Sequence, residues 1–117
     1  MDTSFEIRRR READLLNEYG CQFWRILPWM ANGPSDNGMG LAIVPPSGRT
    51  EPHSHNEVEH FMVIRGECDA CVADETVALQ EGDVIKVPSG LEHHFENTSP
   101  STPLELLCLW TLGEFEG

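Results

Sequence analysis

Five histidines fall inside one 42-residue window, His53, His55, His60, His93 and His94, with Glu59 among them. Imidazoles and carboxylates at close spacing are ligands for divalent first-row metals. On an extended chain alternate side chains share a face, so His53 and His55 project together. A short turn at residues 56–58 leads into a strand whose inward set is Glu59, Phe61 and Val63, which turns His60 outward with Met62 and Ile64. His93 and His94 are adjacent, so at most one of them faces the same interior, and Phe95 and Asn97 continue the face of His93. His60 and His94 are therefore read as ordinary histidines rather than ligands. Cys68 and Cys71 form a C-x-x-C, but no second cysteine pair completes a structural zinc site. Residues three apart on a strand also face opposite ways, so the pair is read as inert.

Short β-type runs punctuated by Gly, Pro, Asn, Asp and Ser must position these residues. The expected strands are 21–28, 39–44, 50–55, 59–65, 69–73, 76–79, 84–87, 93–97 and 104–112. Even spacing of short strands predicts an all-β sandwich or barrel rather than an α/β fold. A tight hairpin is expected at Asp74-Glu75 and a turn over Gln80-Glu81-Gly82-Asp83. Residues 1–19 are charge-dense and read as an arm or short helix, 20–112 as the barrel, and 113–117 as a tail or the start of a linker. The strand at 104–112 is apolar on both faces, which predicts packing against another subunit or domain, a homodimer being the simplest case.

A chain of 117 residues is one domain's worth, and 39% hydrophobic residues suffice for a core without disulfides. From Glu12 onward, 18 acids face Arg25, Arg49, Arg65 and Lys86, a balance of −14 over 106 residues. Such a body repels phosphate backbones and excludes nucleic acid as a partner. The run Arg8–Arg11 is not followed by an apolar stretch, so it is not a secretory leader, and no segment is long and apolar enough for a membrane span. The four cysteines are expected as free thiols in a reducing cytoplasm.

Gly48, His53-Ser54-His55, Glu59 and Gly66 resemble the first motif of the cupin superfamily, and Gly82, Pro88, Gly90, His93 and Asn97 resemble the second. The one departure is a Gly48-to-His53 spacing one residue shorter than usual, taken up by the loop at Arg49 and Thr50. The resemblance implies a small cupin β-barrel (a jelly roll, or double-stranded β-helix) with a divalent metal held by His53, His55, Glu59 and His93, Glu59 serving as ligand or as catalytic base. Zinc is the best match, with iron, nickel and manganese also compatible. Phe61 and Phe95 would line a small-molecule substrate site. Arg25 shares a face with Cys21, Phe23 and Leu27; if that face is inward Arg25 holds a substrate carboxylate, and if it is outward Arg25 is a surface residue.

Within the superfamily, Leu27-Pro28-Trp29, the core Pro52–Glu59 and the closing Leu106–Trp110 resemble the zinc cupin domains fused to methionyl-tRNA-synthetase-like domains in hydrazine synthetases. That resemblance implies N–N bond formation from an O-aminoacyl ester of an N-hydroxylated diamine, with a synthetase-like domain as partner. The alternatives are an iron, nickel or manganese dioxygenase or isomerase acting on a small organic acid, and a non-catalytic metal- or ligand-binding module.

Overall fold

A computed structural model describes residues 4–30 and 35–112, so the 113–117 tail lies outside the described residues. Nine strands are present among them: β1 (Leu16–Glu18), β2 (Cys21–Leu27), β3 (Gly38–Val44), β4 (Val58–Arg65), β5 (Glu67–Val72), β6 (Glu75–Gln80), β7 (Val84–Val87), β8 (His93–Asn97) and β9 (Leu104–Thr111). They form two sheets, β1-β2-β3-β9-β4-β7 and β6-β5-β8, all pairs antiparallel. The all-β expectation holds. Alternation does the work the sequence pattern implies. Leu104, Leu106, Cys108 and Trp110 of β9 are buried, while Leu107 and Leu109 lie half-buried on the other face. Val44, Val63, Cys68, Ala70 and Val87 meet Leu104 and Leu106 in the core. All four cysteines are free. No helix among the described residues is long and apolar enough to cross a membrane.

Two expected elements need correction. The segment 50–55 is not a strand: it touches β8 through isolated bridges, Arg49 with Glu96 and His53 with His93. Pro52 has no N–H to donate, and the Thr50 hydroxyl, not a backbone carbonyl, accepts from Phe95 N at 2.9 Å. The hairpin turn lies one residue early, at Ala73-Asp74, with Ala73 at φ 53°. The segment read as an arm contains one 3-10 turn, Arg10–Glu12, and strand β1, which pairs with β2. Tyr19 and Gly20 join the two strands with φ of 54° and 79°, the left-handed pair that a two-residue hairpin loop needs.

Two arginines of the charged run have defined partners: Arg8 donates to the Ile26 and Trp29 carbonyls and lies over the Trp29 ring, and Arg10 pairs with a carboxylate. Arg10 grips Glu105 with two parallel bonds of 2.9 and 2.6 Å on the outer face of β9, where Glu105 is buried. Arg10 holds the Glu105 carboxyl below its ordinary 4.5, against the opposing effect of burial. The folded pKa thus lies below the unfolded one. The pair's contribution to stability is therefore complete above the ordinary carboxylate range and drains as pH falls through the folded value. Arg10→Ala is expected to cost on the order of 1 kcal/mol at neutral pH, because Arg10 is half exposed, and nothing once Glu105 is protonated. Urea melts of both proteins across the acid range check this; an equal difference at every pH would contradict it.

The far end of β8 is locked by Asn97, which is buried. Its amide nitrogen donates to the carbonyls of Val44, Pro45 and Thr102 at 3.2, 3.1 and 2.9 Å, and its oxygen accepts from Ser99 N at 2.9 Å. The loop that follows β3 and the β8–β9 loop are thereby tied to the strand that carries His93. Gly66, at φ 89°, lies so close to the chain that an added Cβ would meet Pro103 O at 2.8 Å, so the β4–β5 turn requires glycine there.

Candidate metal centre

Four side chains converge at the open end of the barrel. His53 and His55 come from the bridged segment, Glu59 from β4 and His93 from β8, and their ligand atoms all lie within 4.8 Å of one another. Glu59 and His93 are buried at 7% and 2% exposure, so neither could be tolerated as a bare polar group. The register of β8 against β5 sets Val72 opposite His93 and Cys71 opposite His94, which sends His93 inward and His94 outward. On β4 the same alternation buries Glu59, Phe61 and Val63 and leaves His60 on the outer side.

The imidazoles of His53 and His93 are each oriented by a hydrogen bond at the second nitrogen, whereas Nδ1 of His55 has none. Nδ1 of His53 lies 2.9 Å from the Glu51 carbonyl, and Nδ1 of His93 lies 2.9 Å from the Leu91 carbonyl. Carbonyls accept only, so both rings carry hydrogen on Nδ1 and present an Nε2 lone pair. Nδ1 of His55 lies 3.0 Å from the Glu57 carboxylate. Nε2 of His55 and of His93 approach Glu59 Oε1 at 2.7 and 2.9 Å. The approach is off the hydrogen-bonding directions, and Glu59 Oε1 and His93 Nε2 are buried without a hydrogen-bond partner. Two orphaned acceptors facing one point are what a shared cation resolves. With three imidazoles and a carboxylate, the residues present fit a divalent metal.

Electrostatics agree with that geometry. Burial pushes the Glu59 carboxyl up, but the imidazoles of His55 and His93 outweigh it and bring the pKa to about 2. Burial moves His53 down, which keeps its ring neutral, whereas Glu59 draws His55 up. Burial also raises the thiols lining the cavity, Cys21 to about 11 and Cys108 well above the ordinary thiol value, so neither is a thiolate nucleophile.

A cavity of about 270 Å³ opens over this cluster. Phe61 and Phe95 line it, and so does Arg25, which places the Cys21-Phe23-Arg25 face of β2 inward. Arg25 Nη2 is held by both Glu18 oxygens at 3.1 and 3.3 Å, and its guanidinium lies 5.6 Å from the Phe23 and Trp110 rings. Several lining residues escape sequence reasoning. Tyr19, in the β1–β2 turn, stacks on His53 with ring centroids 4.6 Å apart, and turn residues have no period to reveal them. Glu57 was signalled only by sharing the alternation of His55 and Glu59. Trp110 reaches the cavity from β9 while its indole N–H donates to Ser35 O at 3.0 Å.

Residues 40–110 match the family model described as "Cupin domain". A gentisate 1,2-dioxygenase of Haloferax is 28% identical over 96 residues, which is 81% of this chain and 27% of that protein, so the chain spans about a quarter of this curated relative. Among solved structures, a Photorhabdus luminescens protein is 28% identical with a TM-score of 0.76, covering 94% of this chain and 88% of the other. A Thermotoga maritima protein described as a predicted oxalate decarboxylase has a TM-score of 0.77 at 24% identity, covering 92% and 100% of the two chains.

Proposed function

The chain belongs to the cupin domain family, and from that premise we propose that it is a divalent-metal-dependent enzyme acting on a small organic acid. The observation that carries this reading is Arg25 in the same cavity as the His53-His55-Glu59-His93 cluster. The barrel thus offers ligand atoms beside a cation in a space whose walls include Phe23, Phe61, Phe95 and Trp110. A metal bound there supplies Lewis acidity toward a chelating substrate, or a dioxygen site if it is iron. Arg25 spends only Nη2 on Glu18, so its remaining N–H groups take the substrate carboxylate. Phe61 and Phe95 exclude water and flank a flat substrate. Glu59, with a pKa of about 2, is ionised at working pH. It is therefore a carboxylate, fit to ligate the metal or to accept a proton, and not a general acid. The named relative that acts on gentisate, an aromatic acid, supports this choice of substrate class.

The hydrazine-synthetase reading, with zinc assisting N–N bond formation and a synthetase-like partner domain, rests on short stretches. Leu27, Pro28 and Trp29 are not among the residues lining the cavity, and of the closing stretch Leu106, Cys108 and Trp110 do line it. The core stretch Pro52–Glu59 carries His53, His55 and Glu59, ligands that the general cupin motif also requires, so what is particular to this resemblance bears on the barrel wall, and it ranks second. Elemental analysis of purified Cys71→Ser protein, in which the barrel cluster is the intact ligand group among the described residues, separates the two: stoichiometric iron favours the organic-acid reading, stoichiometric zinc the other. Substrate class is tested by calorimetric titration of gentisate, as a representative carboxylate, into the metal-loaded protein. Arg25→Gln is expected to weaken binding about 10–100-fold, the equivalent of one lost charge-assisted contact. Equal affinity in the two proteins would remove Arg25 from the substrate site.

A further inference from the structure

We propose a second metal site, specific for zinc, on the outer face of the small sheet, with Cys71, His94 and Glu96 as its ligands. β8 pairs with β5 so that Cys71 stands opposite His94, and Asp69 opposite Glu96. The strand that sends His93 into the barrel therefore sends His94 out, beside a thiol that C-x-x-C spacing separates from the buried Cys68. His94 Nε2 lies 2.9 Å from Glu96 Oε2, and Cys71 Sγ lies 3.6 Å from the same oxygen. The three ligand atoms lie within 4.8 Å of one another. Ligand atoms about 2.0–2.3 Å from one tetrahedral ion are separated by roughly 3–4 Å, so the triad needs little rearrangement to close on a cation.

The chemistry of the set selects the ion. One thiolate, one imidazole and one carboxylate form a mixed soft and borderline ligand set that suits zinc and is foreign to the all-oxygen shells of calcium or magnesium. Two negative ligands balance the charge of the ion, and the Cys71 thiol releases its proton to solvent on binding. Asp69 and Glu96 supply an independent reason: like charges directly opposite on one sheet face destabilise the pair, and a cation between the strands relieves them. Arg49, bridged to Glu96 through the backbone, is the cation already nearby. The His94 hydrogen bond first, and the charge of Arg49 to a smaller degree, hold the Glu96 carboxyl below its ordinary value. The site would staple β5 to β8 from outside while the barrel metal holds β8 from inside, and its fourth position is open to water or an external ligand.

Equilibrium dialysis of the full chain against zinc, followed by elemental analysis, is expected to give two equivalents per chain, falling to one in Cys71→Ser and in His94→Gln. Cobalt substitution adds a spectroscopic readout. A thiolate-to-cobalt charge-transfer band is expected in the parent protein and in His93→Ala, and is lost in Cys71→Ser. Cys71 and His94 are not in the core, so both variants fold, and circular dichroism verifies this. Zinc content that does not fall by one equivalent in Cys71→Ser, or a charge-transfer band that survives Cys71→Ser, would overturn the proposal.

Discussion

His93→Ala is expected to empty the barrel site, whereas His94→Ala leaves it full. With Cys71→Ser as the common background, so that only the barrel cluster is counted, metal content falls from one equivalent to near zero in the first case and stays at one in the second. The contrast follows from strand register. His93 is 2% exposed, its Nδ1 is tied to Leu91 O, and its backbone exchanges two bonds with His53, N to O at 2.9 and 3.1 Å. Removing an orienting partner alone costs metal affinity about 10–100-fold, and removing a ligand costs more. The metal-free His93→Ala protein also loses stability, because Glu59 keeps its buried charge with one imidazole neighbour fewer. Metal analysis after dialysis against a weak chelator measures the first effect. Comparable loss in both variants would mean that β8 presents its faces differently.

Asn97→Ala is expected to be among the most destabilising single substitutions outside the hydrophobic core. The Val44 and Thr102 carbonyls and Ser99 N lose this partner together, in or beside a buried corner, while Pro45 O keeps its bond from Gly48 N at 2.9 Å. Each unsatisfied buried group costs about 1–3 kcal/mol, less whatever water recovers, so a total loss above about 3 kcal/mol is expected. Asn97→Asp tests the mechanism: a carboxylate still accepts from Ser99 N but cannot donate to Val44, Pro45 or Thr102. It should therefore recover only a small part. Denaturant midpoints at constant slope measure both variants. A loss under about 1 kcal/mol in Asn97→Ala would show that the corner repacks without the amide.

How much of this could be read in advance depends on which physical signal each residue leaves. Strand alternation was sufficient for β4 and β8, because Glu59, Phe61 and Val63, and likewise His93, Phe95 and Asn97, obey a period of two and one of their faces is buried. Spacing placed His53 and His55 together, but for a reason other than the one expected: the segment is not a strand, and its contacts with β8 run through two bridges and a threonine hydroxyl. Arg25 was ambiguous because β2 carries side chains of similar character on both faces, and only the position of the neighbouring strands decides between them. Tyr19 left no signal, since its position comes from a turn conformation and its role from a partner 34 residues away. The pairing of Arg10 with Glu105 spans 95 residues and has no local trace.

The position of β9 has a consequence for how the molecule is made. The last of the nine strands is not at a margin: it lies between β3 and β4 and is hydrogen-bonded to both along nearly their whole lengths. Until residue 111 has left the ribosome, β3 and β4 each present an unpaired backbone edge, and the large sheet exists only as separate pieces. Loop closure across such separations is slow, and exposed edges invite pairing with other chains. The histidine cluster depends on that late step, because β4 and its Glu59 are seated by β9. Metal capture in the barrel is therefore an event that follows synthesis of β9.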